Sequence, residues 1–181
     1  MIICGIDEAG RGPLAGPVTA AAVILPKCFP INHLDDSKAL SRRAREEQSL
    51  LVRQNAQEWS IGWAWPLEID RINIHHATLL AMLRAYKGLR CIPDLVLVDG
   101  RFTIAIDPKC RAEIGGDSRI PEIMAASILA KTTRDRWMVR YSQIDNRYDF
   151  DIHKGYPTKK HRSLLRRHGP SPIHRRSFKL G

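Results

Sequence analysis

At 181 residues with a formal net charge of +10, the chain can form one well-packed domain but is too short for two of ordinary size. Its hydrophobic (44%) and charged (27%) residues are interspersed, which excludes a wholly disordered protein, a collagen-like fibre and a disulfide miniprotein. The longest apolar stretch, Val18 to Leu25 interrupted by Thr19, is far shorter than the roughly 20 residues that cross a bilayer. The N-terminus has no secretory pattern, so a cytoplasmic protein with no membrane partner is expected.

In chain order, Ile2 to Asp7 is β-branched and apolar, then meets Gly10-Arg11-Gly12-Pro13 and Gly16-Pro17 before the apolar run from Val18. This predicts two strands joined by a loop of special backbone shape. Ser41 to Asn55 predicts a helix capped by Ser41. Trp59, Ile61, Trp63 and Trp65 alternate with small residues, the period of a strand, which Pro66 ends. Ile74 to Leu89 has a helical period closing on Gly88. Leu95 to Val98 is apolar on both faces and predicts a buried central strand delivering Asp99. Pro121 to Tyr141 predicts a long helix, and Thr158 to Arg167 a basic one ended by Gly169-Pro170. Strands leading and helices alternating later point to an α/β layered domain over residues 1–181, with a central sheet and a small basic helical appendage from about residue 145.

The charge is uneven. Asp151 to Gly181 holds nine basic residues and one acid, whereas the rest holds 20 against 18. A basic block on a nearly neutral body is the footprint of a polyanion partner, nucleic acid being the commonest, or of a solvated tail. His153, His161, His168 and His174 lie in this block without tight metal-ligand spacing and read as phosphate contacts or surface residues. Cys4, Cys28, Cys91 and Cys110 are scattered, which suggests reduced, mostly buried thiols.

Asp7 and Glu8 close the first strand, Asp99 closes the buried one, and Asp117 precedes the long helix. Acids at apolar strand ends need a cation, either Arg11, Lys131 or a hard divalent metal such as Mg²⁺ or Mn²⁺. Beside a basic surface, such a cluster suits phosphodiester hydrolysis with two metal ions. Adjacent strand residues point to opposite faces, so Asp7 and Glu8 share one metal only if the chain leaves strand geometry at Glu8.

Ile6-Asp7-Glu8-Ala9-Gly10-Arg11-Gly12-Pro13-Leu14-Ala15-Gly16-Pro17 closely resembles the N-terminal signature of the ribonuclease HII family. Asp36 to Leu40, Val98-Asp99-Gly100, Gly116-Asp117-Ser118, Ala125 to Asp135, His153 to Thr158 and Arg175 to Phe178 resemble further family blocks in the family order. The resemblance implies a ribonuclease H-like fold and an endoribonuclease that cuts the RNA of RNA–DNA hybrids and nicks 5′ of single ribonucleotides in DNA, leaving 3′-hydroxyl and 5′-phosphate ends. It implies catalytic and metal-binding roles for Asp7, Glu8, Asp99 and Asp117 with Mn²⁺ or Mg²⁺, and readout of the 2′-hydroxyl by Gly10, Arg11 and Gly12. Tyr156 would pack on the sugar beyond the junction, and Ser37, Lys38 and Lys154 would contact nucleic acid. Gly116 stands where many relatives are expected to have lysine, which would tune the site. The related ribonuclease HIII normally carries an extra N-terminal domain, for which there is no room before Ile6. The chain stops soon after Phe178, so no clamp-binding tail is expected. A monomer is expected, and a non-catalytic hybrid-binding module remains the other reading.

Overall fold

Alternation along β1 (Ile3–Ala9) and β2 (Val18–Ile24) splits the interior into two apolar layers, one on each face of a sheet. The computed structural model describes residues 1–34, 40–106 and 109–180. Its five-stranded mixed sheet runs β3-β2-β1-β4-β5, adding β3 (Glu58–Ala64), β4 (Leu95–Asp99) and β5 (Lys109–Glu113). β1, β2 and β3 are antiparallel neighbours, while β4 is parallel to β1 and β5 to β4.

Cys4, Ile6, Ala20 and Ala22 face α2 (Pro66–Lys87), where they meet Ala77, Ala81 and Ala85. Ala21 and Val23 face α3 (Pro121–Ile144), packing with Ala125, Ala126, Ile128 and Leu129. Val52 of α1 (Arg42–Asn55) joins this second layer. Gly5 makes the close approach of α3 possible: a Cβ there would lie 2.2 Å from the carbonyl carbon of Glu122. The N-terminal part of α3 is therefore pressed onto the face of β1 that also presents Asp7, two residues on.

The predicted strands and helices form, with Ser41 capping α1 by accepting from the Ala44 N–H at 3.2 Å. The larger departures from the sequence expectation are in the second helix and the sheet edge. The second helix begins at Pro66, not near Ile74, and bends at Asn73 (φ 63°), whose side chain accepts from the His76 N–H and caps the second half. β5 is an additional edge strand, Lys-Cys-Arg-Ala-Glu, too polar to announce itself by hydrophobic pattern.

The basic C-terminal part is not a loose tail. Tyr148, Phe150, Leu165 and Ile173 form a third apolar cluster with Leu14, Ala15 and Met138. They come from α4 (Phe150–His153), α5 (Lys159–His168) and flanking loops. The Leu14 N–H donates to the Gly155 carbonyl, and the Arg175 N–H donates to the Leu14 carbonyl, both at 2.8 Å. Three histidines depart from the surface reading: His153, His161 and His174 are buried, and only His168 of that group is exposed. Aromatic packing against Tyr148 and Phe150 holds them inside. All four cysteines are free, but only Cys4 is buried, and Cys28 is exposed.

Candidate active site

Asp7 and Asp99 follow Ile6 and Val98, the last pair in the parallel register of β1 with β4; Asp99 ends β4, whereas β1 runs on to Ala9, so Asp7 and Glu8 do not close the first strand as expected. Asp117 enters from a single helical turn, Gly116–Ser118, which Gly115 starts in the left-handed region (φ 66°). Carboxylate oxygens of these three acids lie within 4.8 Å of one another, and the Asp117 N–H donates to Asp99 Oδ1 at 3.3 Å. Asp7 is only 5% exposed. Burial, reinforced by the charges of Glu8 and Asp99, holds its carboxyl well above the usual carboxylate range, against the pull of hydrogen bonds from the Ser127 hydroxyl and the Glu8 N–H.

Glu8 does not leave strand geometry. β1 continues to Ala9, pairing Glu8 with Ala20 and Ala9 with Thr19. Its side chain is not one of the group of three, yet it lines the same cleft as Asp7 and Asp99 and, toward α2, also borders a smaller cavity with His75, Thr78 and Met82. Burial raises its carboxyl too, partly offset by a hydrogen bond with Asp7 and by the charge of Arg11. Arg11 Nη1 lies 3.4 Å from Glu8 Oε1.

The three acids supply only oxygen donors from buried strand and turn ends, a donor set that fits a hard divalent cation and relieves their mutual repulsion. Of the protein cations expected to meet them, Arg11 pairs with Glu8 and Lys131 Nζ bonds Asp135 at 3.0 Å along its own helix.

A cleft of about 470 Å³ opens beside Asp7 and Asp99. Gly10, Arg11 and Gly12 form one wall, Ser127 and Lys131 of α3 another, and Tyr156 faces the loop across it. A Cβ on Gly12 would lie 3.9 Å from Tyr156 Cε1. Lys154 is turned elsewhere: its ammonium donates to the carbonyls of Asp151 and Ile152, and burial lowers its pKa. Ser37 and Lys38 lie outside the described residues.

Sequence reasoning assigned no site role to Arg45, Ser127, Arg134 and Arg175. Arg45 lines the cleft from the first turn of α1, and its guanidinium donates to the Leu40 carbonyl at 2.7 Å. Arg134 and Arg175 are fully buried beneath the glycine loop. Both fall inside family-like blocks, but long-range contacts made by an arginine leave no local pattern.

The family model described as Ribonuclease HII matches residues 4–181. This chain belongs to the ribonuclease HII family. A ribonuclease HII of Idiomarina loihiensis is 50% identical over 177 residues, covering 98% of this chain and 95% of the relative. One of Burkholderia pseudomallei strain 668 is 51% identical over 177 residues, covering 98% and 83%. Among solved structures, the RNase HII of the PCNA:RNase HII complex from Archaeoglobus fulgidus superposes with a TM-score of 0.83 at 25% identity, covering 100% of this chain and 96% of that one. The ribonuclease H2 of Pyrococcus horikoshii OT3 gives 0.80 at 24% identity, covering 99% and 95%, and shares the fold. With the ribonuclease HII family comes its activity: the chain is a metal-dependent endoribonuclease acting on RNA–DNA hybrids. Family membership thereby decides against the hybrid-binding module and the ribonuclease HIII reading. No helix among the described residues is long and apolar enough to cross a membrane.

Proposed function

We propose that the chain, acting as one monomeric catalytic unit over residues 1–181 in the cytoplasm, also nicks duplex DNA on the 5′ side of single embedded ribonucleotides. The products are 3′-hydroxyl and 5′-phosphate ends, and the cofactor is Mg²⁺ or Mn²⁺. The observation that carries the reading is the group of three carboxylates at the mouth of a cleft whose other wall is the Gly10-Arg11-Gly12 loop.

Asp7, Asp99 and Asp117, with Glu8 beside them, would hold the metal. Bound there, it supplies an activated water and neutralises charge on the leaving oxygen. The chain's own residues do the rest. The Ser127 hydroxyl and Glu8 N–H fix the orientation of the Asp7 carboxylate. Gly10, Arg11 and Gly12 bring backbone close enough to a sugar edge to detect a 2′-hydroxyl, the group that distinguishes RNA from DNA. Tyr156 offers a flat apolar face to the next sugar, with Lys131 Nζ 5.3 Å from its ring centre, on the cleft side where a phosphate would pass. Lys154, together with Ser37 and Lys38, is assigned to phosphate contact, the first requiring its ammonium to leave the carbonyls it now binds.

An end-labelled DNA duplex with one ribonucleotide, incubated with Mn²⁺, Mg²⁺ or EDTA, tests this. Metal-dependent nicking 5′ of the ribonucleotide, with an all-DNA duplex intact, is the expected result. Cleavage of long hybrids without nicking of this substrate would overturn the single-ribonucleotide reading while leaving the family activity in place.

A further inference from the structure

Arg175 is separated by more than 160 residues in sequence from the glycine loop, yet its guanidinium lies directly beneath it. Nη2 donates to the Gly10 carbonyl at 2.5 Å, Nη1 to the Arg11 carbonyl at 2.9 Å, and Nε to the Gly16 carbonyl at 2.9 Å. We propose that Arg175 is a positioning residue for ribonucleotide recognition, holding these carbonyls inward so that the loop presents its N–H groups to the cleft. The proposal rests on the reading of Gly10-Arg11-Gly12 as the 2′-hydroxyl sensor.

Peptide geometry makes the connection. In a planar trans peptide the carbonyl of one residue and the N–H of the next point in opposite directions. With the Gly10 and Arg11 carbonyls drawn onto Arg175, the N–H groups of Arg11 and Gly12 are aimed away from the protein body, where both residues border the cleft. Among the described residues neither N–H donates to a protein acceptor. Two adjacent outward donors form an edge suited to a hydroxyl or phosphate oxygen.

The choice of residue is costly unless this fork is needed. Arg175 is fully buried, and among the described residues no carboxylate is within ion-pair distance of it. Asp70 instead accepts from the N–H groups of Arg176 and Ser177, fixing the segment that carries Arg175. An apolar side chain would fill the same space without a buried charge. Only a guanidinium offers rigidly spaced donors to three carbonyls at once. The Phe178 ring supports it from behind, 5.2 Å from the guanidinium carbon.

The test compares binding of a one-ribonucleotide duplex and an all-DNA duplex in EDTA, where neither is cut. Wild type should prefer the ribonucleotide. Arg175→Lys should lower the preference about fivefold, the worth of one neutral hydrogen bond, while leaving all-DNA affinity within about twofold. A merely structural clamp predicts a lower melting temperature with an unchanged preference, and that result would overturn the proposal. Gly12→Ala separates the two levels, because its methyl meets only the Tyr156 ring edge, at an unstrained 3.9 Å, and narrows the gap between loop and tyrosine. If Gly12→Ala erases the preference and Arg175→Lys does not, the loop reading stands and the proposal falls. If wild type shows no preference, the loop reading falls and the proposal with it. If Arg175→Lys does not fold, Phe178→Leu loosens the same guanidinium from behind. A smaller loss of preference supports the proposal, and an unchanged one rejects it.

Discussion

His161 Nε2 lies 3.0 Å from His174 Nε2, and the partners on the far side of each ring decide which nitrogen carries the proton. His161 Nδ1 faces the Tyr156 carbonyl at 2.9 Å and so must donate, which leaves its Nε2 to accept from His174 Nε2–H. His174 Nδ1 in turn accepts from the Ser171 N–H at 2.9 Å. His153 follows the same rule, donating from Nε2 to the Tyr148 carbonyl and accepting at Nδ1 from the Gly155 N–H. Every ring is neutral with one fixed tautomer, and protonating any of them sets two N–H groups against each other.

This relay predicts acid sensitivity. Burial, with His161 and His153 adding, lowers the His174 pKa to about 4, against a favourable pull from Asp145. His153 and His161 are also lowered by burial; Lys160 disfavours charge on the first and Arg162 on the second, while Asp149 favours charge on the first. A folded pKa below the unfolded value means that the unfolded chain binds more protons, so stability is complete above about pH 6.5 and falls as pH drops toward 4. For His174 alone the loss amounts to roughly 3 kcal/mol. Urea melts across this range check it: His174→Gln should flatten the slope, and an unchanged slope would show that the relay does not carry the acid response.

The three carboxylates predict opposite effects on stability and activity. Asp99→Asn should reduce cleavage by about 10³ or more, since it removes an oxygen ligand from the cation on which the reaction depends. In EDTA the same variant should be more stable than wild type by about 1 kcal/mol, because it removes one of three mutually repelling acids. Mn²⁺ should raise the wild-type melting temperature more than that of the variant. Thermal melts with and without metal, paired with a cleavage assay, read all three; a full metal-induced shift in Asp99→Asn would remove that residue from the metal site.

Much of this was legible because the signals are local. Short apolar, β-branched runs located β1, β2 and β4, period-2 alternation located β3, a helical period located the second half of α2, and acids following apolar runs marked Asp7 and Asp99. The polar edge strand β5 carried no such period. The buried histidines were misread because their titratable rings are satisfied by backbone groups up to several residues away and by each other. Arg134 and Arg175 were invisible as loop supports for the same reason: their six carbonyl partners are set by the tertiary fold.

Two glycines beside the site separate backbone strain from steric exclusion. Gly155 (φ 84°) would place a Cβ 2.5 Å from the Ala15 carbonyl oxygen, whereas Gly100 (φ 99°) has open space there. Gly100→Ala should therefore cost only the strain of the left-handed conformation, about 1 kcal/mol. Gly155→Ala should cost about 3 kcal/mol and also reduce cleavage, because relieving the clash shifts the adjoining Tyr156. Equal melting temperatures for the two variants would refute the steric part of this account.

Gly116 is the remaining lever on the acids. It lacks a positive φ, and a Cβ there would meet the flexible end of Ile123 at 2.5 Å while lying 3.5 Å from Asp99 Oδ1. A longer side chain can be accepted if Ile123 Cδ1 moves aside, and a lysine ammonium from this position would come within reach of Asp99. There it would compete with a divalent cation for the same carboxylate, an interaction of about 1 to 4 kcal/mol between unit charges near a protein surface. Gly116→Lys should thus fold, keep measurable cleavage, and raise the Mg²⁺ concentration needed for half-maximal activity by about three- to tenfold. Because the added charge also draws phosphate, the KM for substrate at saturating metal should stay level or fall. A metal titration that superimposes on wild type would show that residue 116 does not tune the acidic group.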